Sequence, residues 1–305
     1  EVDLLPGSKK TALVQCGRDI TTEELGTIRE TVEMFPKLSR SELTATICEH
    51  LEWFAPTGAC KLDACAKLLE KLEDEGLLKL PEKIETPKKK RKPVAHTTKT
   101  RPRPDMVCTL KELGTVHLEI VQEDTSKKLW NEYVSRYHYL GYKHPFGTYI
   151  RYFITSDQGI LGCIMFCGAA KSMKLRDKWI GWTTRQKARN QGWVINNNRF
   201  LILPWVQVKN LASHVLGKVT RAIKNDWLEQ WGFEPVLMET FVDPQLYAGS
   251  CYKAANWQYL GMTTGEGLAR KGKTYSTTPK MILVMPLTKK FREILCSKDL
   301  QGRIL

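Results

Sequence analysis

Arg199-Phe200-Leu201-Ile202-Leu203-Pro204-Trp205-Val206-Gln207-Val208-Lys209-Asn210-Leu211-Ala212 carries an apolar strand pattern into a turn and then into the start of a helix. The pattern predicts a strand over 199–208 and a helix from Leu211 to about Trp231. Working upstream, 149–155 and 160–167 read as two strands joined by Ser156-Asp157-Gln158-Gly159, a hairpin turn by composition. Before them, 116–121 alternates as a strand. Thr125 to Tyr137 is amphipathic on Leu129, Trp130, Tyr133 and Val134. Downstream, 235–242 reads as a strand, 249–259 as a short helix and 281–287 as a closing strand. The expected fold of 105–305 is therefore α/β (α+β), a mixed sheet with flanking helices.

A chain of 305 residues has room for about two domains. The front of the chain predicts three helices. Thr21-Thr22-Glu23-Glu24 and Ser39-Arg40-Ser41-Glu42 open two of them with capping-box spacing, and Lys61 to Glu75 forms a third that stops at Gly76. Leu77 to Pro81 then reads as a strand. That order predicts a winged helix-turn-helix-like domain over 1–81, with Lys61, Lys67 and Lys71 on a groove-reading helix. A helical protein-interaction module is the competing reading. Cys60 and Cys65 lack a second ligand pair, so no zinc site is expected.

The net charge of +14 is unevenly placed. Residues 1–81 carry −5, the Pro/Lys/Arg linker 82–104 carries +7, and 105–305 carries +12. Such a positive body points to DNA as partner, because counterion release drives phosphate binding. The acidic front fits other proteins better than phosphates. Candidate DNA contacts are Lys88, Lys89, Lys90, Arg91 and Lys92 in the linker, expected to be extended. A second set lies in the insertion 168–198 and just beyond it: Lys171, Lys174, Arg176, Lys178, Arg185, Lys187, Arg189 and Arg199, interleaved with Trp179, Trp182 and Trp193 for base stacking. A solvated basic rim over core tryptophans is the alternative. No apolar run reaches transmembrane length, and nine cysteines without dense spacing fit reduced thiols. A cytoplasmic protein with no membrane partner is expected.

The helix start at Leu211 offers free N–H groups to an anion. With that turn at the central strand and Tyr252 early in the last helix, the element series resembles the GNAT acyltransferase superfamily. In that family the turn reads Gln/Arg-x-x-Gly-x-Gly/Ala and cradles the pyrophosphate of acetyl-CoA. Gln207 and Ala212 match it, and Asn210 stands where the first Gly belongs. The resemblance implies acetyl-CoA held by Gln207, Lys209, Asn210, Leu211 and Ala212, with Tyr252 protonating the departing thiolate. Two stretches, 137–141 with its Tyr137-His138-Tyr139 core, and Phe241-Val242-Asp243-Pro244 with Gly249 to Trp257, are similar to the phage Mom proteins, which modify adenine in duplex DNA. From about 35 to 290, the chain resembles the DruA proteins of the Druantia anti-phage systems, which implies a defence role. The helical front domain, Tyr137 to Gly141, Arg176-Asp177-Lys178-Trp179-Ile180-Gly181-Trp182 and Asn196 to Val206 carry that resemblance, in this order.

Candidate catalytic residues are His138, Tyr139, Glu239, Asp243 and Tyr252. An imidazole near its ordinary pKa suits a general base or a metal ligand, though His138 also suits a helix C-terminal cap. Glu239 and Asp243 share one strand face, while Asp before Pro also makes turns. Three functions stay open: a GNAT-like enzyme that modifies DNA bases, a non-enzymatic sensor of DNA structure that recruits defence partners, and a metal-dependent DNA-cutting or transposition-related enzyme.

Overall fold

The computed structural model describes residues 11–83, 93–265 and 277–298. The chain divides into two compact units: unit 1 takes 1–90, 182–191 and 295–305, and unit 2 takes 91–181 and 192–294. Among the described residues no helix is long and apolar enough to cross a membrane.

Unit 1 opens with an antiparallel hairpin, β1 (Thr11–Gln15) and β2 (Arg18–Thr21). Its two-residue turn, Cys16-Gly17, has φ of 47° and 79°, the double left-handed geometry of tight hairpins. Three helices follow: α1 (Thr22–Met34), α2 (Arg40–His50) and α3 (Leu62–Asp74). The capping boxes expected at Thr21/Glu24 and Ser39/Glu42 are both formed. Ile20, Ile28, Leu43, Ile47, Leu68 and Leu72 meet in one core. The strand expected over 77–81 is not formed. Gly76 closes α3 in a Schellman arrangement, with Gly76 N–H on Glu73 O and Leu77 N–H on Leu72 O. Beyond it, the Leu80 N–H is taken by Glu73 Oε1 and the Pro81 carbonyl by Arg40 Nε. Side chains thus occupy the backbone groups that a wing strand would have paired.

Unit 2 runs β3 (Met106–Cys108), α4 (Leu110–Leu113), β4 (His117–Ile120), α5 (Asp124–Tyr137), β5 (Tyr149–Ser156), β6 (Gly159–Gly168) and α6 (Lys174–Ile180). The next helix, α7 (Thr184–Asn190), belongs to unit 1. Unit 2 resumes with β7 (Val194–Ile202), β8 (Val206–Val208), α8 (Leu211–Trp231), β9 (Leu237–Val242), α9 (Ser250–Ala254), β10 (Gln258–Met262) and β11 (Met281–Pro286), and α10 (Phe291–Leu295) follows. The main sheet has the order β10-β11-β9-β7-β6-β5-β4. Every neighbouring pair in it is antiparallel except β7 and β9, which α8 connects as a parallel pair. This is a mixed sheet with flanking helices, the α/β architecture expected of 105–305.

The single strand expected over 199–208 is two strands. Pro204, which has no N–H to give a ladder, falls in the break, and β8 leaves the main sheet to pair in parallel with β3. The close packing of β6 on β7 depends on Gly162, where a Cβ would sit 2.2 Å from Leu201 O. Helix α5 is pinned by Trp130, whose Nε1–H donates to Tyr152 O at 2.9 Å. The far end of the expected linker is also fastened to α5. Buried Glu132 accepts from the Thr97 N–H and from the Thr97 and Thr100 hydroxyls, and Tyr137 Oη donates to Thr100 O.

Candidate active site and nucleic-acid face

Strands β7 and β9 pair over only four residues, Val194–Asn197 against Leu237–Thr240. The Thr240 hydroxyl donates to Asn197 O at 2.9 Å, closing the paired stretch. Beyond that bond the strands part. The gap opens into a cleft of about 480 Å³, walled by Asn198 to Ile202 on one side and Thr240 to Val242 on the other. His138 and Tyr139 enter it from the end of α5, Tyr247 to Tyr252 from the segment leading into α9, Ala212 from the first turn of α8, and Lys280 from the approach to β11. A register shift between β6 and β7 at Met165/Phe166 places Asn198 as the extra residue of a β-bulge, a feature that re-aims side chains.

Tyr252 is buried in this cleft. Its hydroxyl donates to Asn197 Oδ1 at 2.6 Å, and its ring meets Trp257 and Phe200 edge-on. Asn197 cannot swing away, because its Nδ2 donates to Met165 O and Arg199 O. Burial raises the Tyr252 pKa well above that of free phenol, so the residue holds its proton at neutral pH.

His138 ends α5, its N–H on Val134 O, and its ring stacks on Tyr139 at 4.9 Å. The Leu140 N–H donates to His138 Nδ1 at 3.2 Å, which makes Nδ1 the acceptor and leaves the proton of the neutral ring on Nε2. Burial, with Arg199 and Lys280 nearby, lowers its pKa to about 4. The residue is therefore a neutral N–H donor, and the sequence expectation of a base with an ordinary pKa does not describe it. A ring-proton NMR titration should show no His138 midpoint between pH 5 and 8. The sign follows from linkage. The folded pKa lies below the unfolded value of about 6.5, so His138 contributes stability above pH 6.5 and loses it as pH falls toward 4. A midpoint near 6.5 in the folded protein would contradict this environment.

Arg199 is only 7% exposed, yet its Nε donates to Gly141 O and its Nη1 to Asn198 O. Burial lowers its pKa, but an arginine remains charged. With Lys280 it gives the cleft a positive wall. Asp243 lies just past the end of β9 and is not part of the wall. Its Oδ1 accepts the Gln245 N–H and its carbonyl accepts the Leu246 and Tyr247 N–H groups, so it shapes the loop that presents Tyr247. Glu239 does not reach the cleft either. It is fully buried against Arg176, with Oε2 2.7 Å from Arg176 Nη1 and Oε1 accepting the Ala170 N–H. Burial pushes its carboxyl upward, while the Arg176 guanidinium and the Ala170 N–H pull the other way.

At the far end of the cleft, Asn210 is left-handed at φ 63° and caps α8 without a side-chain hydrogen bond. The first-turn N–H groups of α8 are thus not taken by a capping side chain. Lys209 and Gln207 are exposed beside them, Leu211 is buried and Ala212 lines the cleft.

The expected nucleic-acid set is dispersed. Lys88, Lys89, Lys90, Arg91 and Lys92 lie outside the described residues. Arg176 is 0% exposed and serves Glu239, while Trp182 and Trp193 are core residues. Trp179 stacks on Phe291 at 4.8 Å under the Arg292 guanidinium. Arg185, Lys187 and Arg189 sit on α7 in unit 1, where Arg185 and Arg189 pair with Asp19. Lys171, Lys174 and Lys178 remain exposed on and before α6. In unit 1, burial lowers the Lys61 pKa at the start of α3, and Lys71 faces Glu75. Among the described residues no three His, Cys, Asp or Glu side chains gather as a metal site. Tyr247 was missed from sequence, while Asn197, Arg199 and Lys280 were read only as part of a basic, polar nucleic-acid surface and not as residues of a cleft. The Asn196-Asn197-Asn198 run inside an apolar strand was the available signal for Asn197.

The family model described as Druantia protein DruA matches residues 71–277. No curated protein matches the chain. Among solved structures, it is similar to the aminoglycoside acetyltransferase AAC(6')-Ib in complex with coenzyme A and kanamycin, at 14% identity over 59% of this chain and 98% of that one, TM-score 0.37. It is also similar to the spermidine/spermine N-acetyltransferase SpeG of Vibrio cholerae, at 10% identity over 59% and 98%, TM-score 0.36. A third is FeeM, an N-acyl amino acid synthase from uncultured soil microbes, at 11% identity over 57% and 92%, TM-score 0.33.

Proposed function

The chain belongs to the DruA family of Druantia proteins, and from that membership we propose that it serves anti-phage defence as a GNAT-like transferase acting on DNA. The observation that carries this reading is the cleft between β7 and β9, where a proton-holding Tyr252, a neutral His138 and a buried Arg199 surround one space. The uncapped first turn of α8 fits the pyrophosphate of acetyl-CoA, with Lys209, Asn210, Leu211 and Ala212 as the residues that would hold it. Bound there, an acyl-CoA supplies an activated acyl carbon and a thiolate leaving group. Tyr252 keeps a proton available as general acid, with Asn197 fixing the hydroxyl. His138 offers an Nε2–H to developing negative charge, and Arg199 and Lys280 attract an anionic substrate. By the same reading, the acidic excess of residues 1–81 serves other defence proteins rather than phosphates. The chain acts in the cytoplasm, where phage DNA is exposed.

The test is incubation of the protein with acetyl-CoA and with single- and double-stranded DNA, followed by mass spectrometry of the digested nucleosides. An acylated nucleoside is the expected result. No adduct, together with no CoA binding by calorimetry, would sink the transferase reading and leave a DNA-structure sensor.

A further inference from the structure

Trp182 and Trp193, two of the three tryptophans expected to stack on bases, are buried, and the mouth of the cleft has aromatic surface of its own. His138, Tyr139 and Tyr247 form a run of three rings, at 4.9 Å and then 5.7 Å between centroids. Tyr139 is 40% exposed and Tyr247 54%, with Leu140 and Leu246 exposed beside them. The loop bearing Tyr247 is held in place by the Asp243 carbonyl and carboxylate. Exposed rings on a built loop at the mouth of a cleft are a binding feature rather than a packing one.

Two further observations define what binds. Asn196 is more than nine-tenths buried and its Oδ1 has no hydrogen-bond partner, nor has the buried Oδ1 of Asn198; both residues line the cleft. These two amides make the floor of the cleft polar. Arg199 and Lys280 also line the cleft, and no carboxylate among the described residues pairs with either, which calls for an anion. A stacking face beside a positive wall, over a polar floor, suits a nucleotide. A base inside a stacked duplex has both faces covered by its neighbours, so an unpaired or extruded base is the one that can lie on these rings.

We propose that the cleft mouth receives one unpaired nucleotide of a DNA strand, its base on the Tyr139–Tyr247 rings and its phosphate toward Lys280 and Arg199. The inference rests on the reading that the protein acts on DNA and names the form of DNA it takes. It needs no acyl donor, so it is tested by binding alone. Fluorescence anisotropy is measured with a labelled oligo-dA strand, the same strand in duplex, and an abasic strand of equal length and charge. The oligo-dA strand should bind more tightly than the duplex, and loss of its bases should weaken it by about tenfold. Tyr247→Ala should cost oligo-dA about tenfold and the abasic strand nothing, while Tyr247→Trp retains binding. Lys280→Ala should lower the salt dependence of both strands. Equal affinity for oligo-dA and the abasic strand, or no effect of Tyr247→Ala, would overturn the stacking site while leaving DNA action at the cleft standing. Absence of binding to any of the three would overturn both. A missing nucleoside adduct would bear only on the chemistry.

Discussion

Glu239→Ala should lower the melting temperature of unit 2 by about 6–12 °C, the largest stability effect expected of any substitution around the cleft. Arg176 and Glu239 are both fully buried, and the guanidinium also bonds Asp177 and the Ala170 carbonyl. Removing the carboxylate takes a fully buried countercharge from Arg176 and an acceptor from the Ala170 N–H. Breaking such a pair from one side costs about 3–5 kcal/mol. Asp177 keeps part of the charge compensated, so the lower end, about 3 kcal/mol, applies. For a unit of this size each kcal/mol shifts the melting temperature by about 2–4 °C. Arg176→Met with Glu239→Leu should recover part of the loss, since the double change removes both fully buried charges and takes the guanidinium only from the partly exposed Asp177. Scanning calorimetry of the full chain checks both. A Glu239→Ala protein that melts with the wild type would show that the pair does not hold α6 to β9.

The same pair shows why some of this molecule was legible in sequence and some was not. Periodicity and capping placed α1, α2, α3, α5 and α8 within a few residues, and the β5–β6 hairpin fell where Asp157-Gln158 said it would. These signals are local. The insertion between β6 and β7 misled because composition does not report burial. Arg176 reads as a cation, and only the fold brings Glu239 to it from 63 residues away. Trp182 and Trp193 read as stacking residues and are core. A local signal for α7 was nevertheless present: Thr183 and Gln186 form a capping box. The β1–β2 hairpin escaped because its turn uses Cys16 where Asn or Asp would announce left-handed backbone. The candidate site divides the same way. His138 and Tyr252 were found by motif and do line the cleft, whereas Asp243 and Glu239 shape its surroundings. Asn197 acts through Tyr252, a relation between two strands and a helix that no spacing encodes.

Tyr252→Phe should reduce adduct formation by about 10²–10⁴-fold, the range that a positioned general acid contributes, with little change in substrate affinity. The substitution removes one oxygen and keeps the ring, so the edge-on contacts with Trp257 and Phe200 persist. The structural cost is the loss of the 2.6 Å bond to Asn197, which leaves Asn197 Oδ1 buried without its donor. That costs about 1–3 kcal/mol of stability, so thermal melting has to be followed alongside rate. Asn197→Asp retains an acceptor for the phenol and places a negative charge beside it, which makes proton release harder and should slow turnover; it also gives up the Nδ2 bonds to Met165 O and Arg199 O, so its melting is followed together with its rate. If Tyr252 is the acid, the rate falls in both variants while oligo-dA binding and KM hold. If Tyr252 only packs, Tyr252→Phe keeps its rate and shows nothing beyond the small stability loss, and the proton for the leaving group must come from elsewhere, since the neutral His138 ring is a hydrogen-bond donor and not an acid.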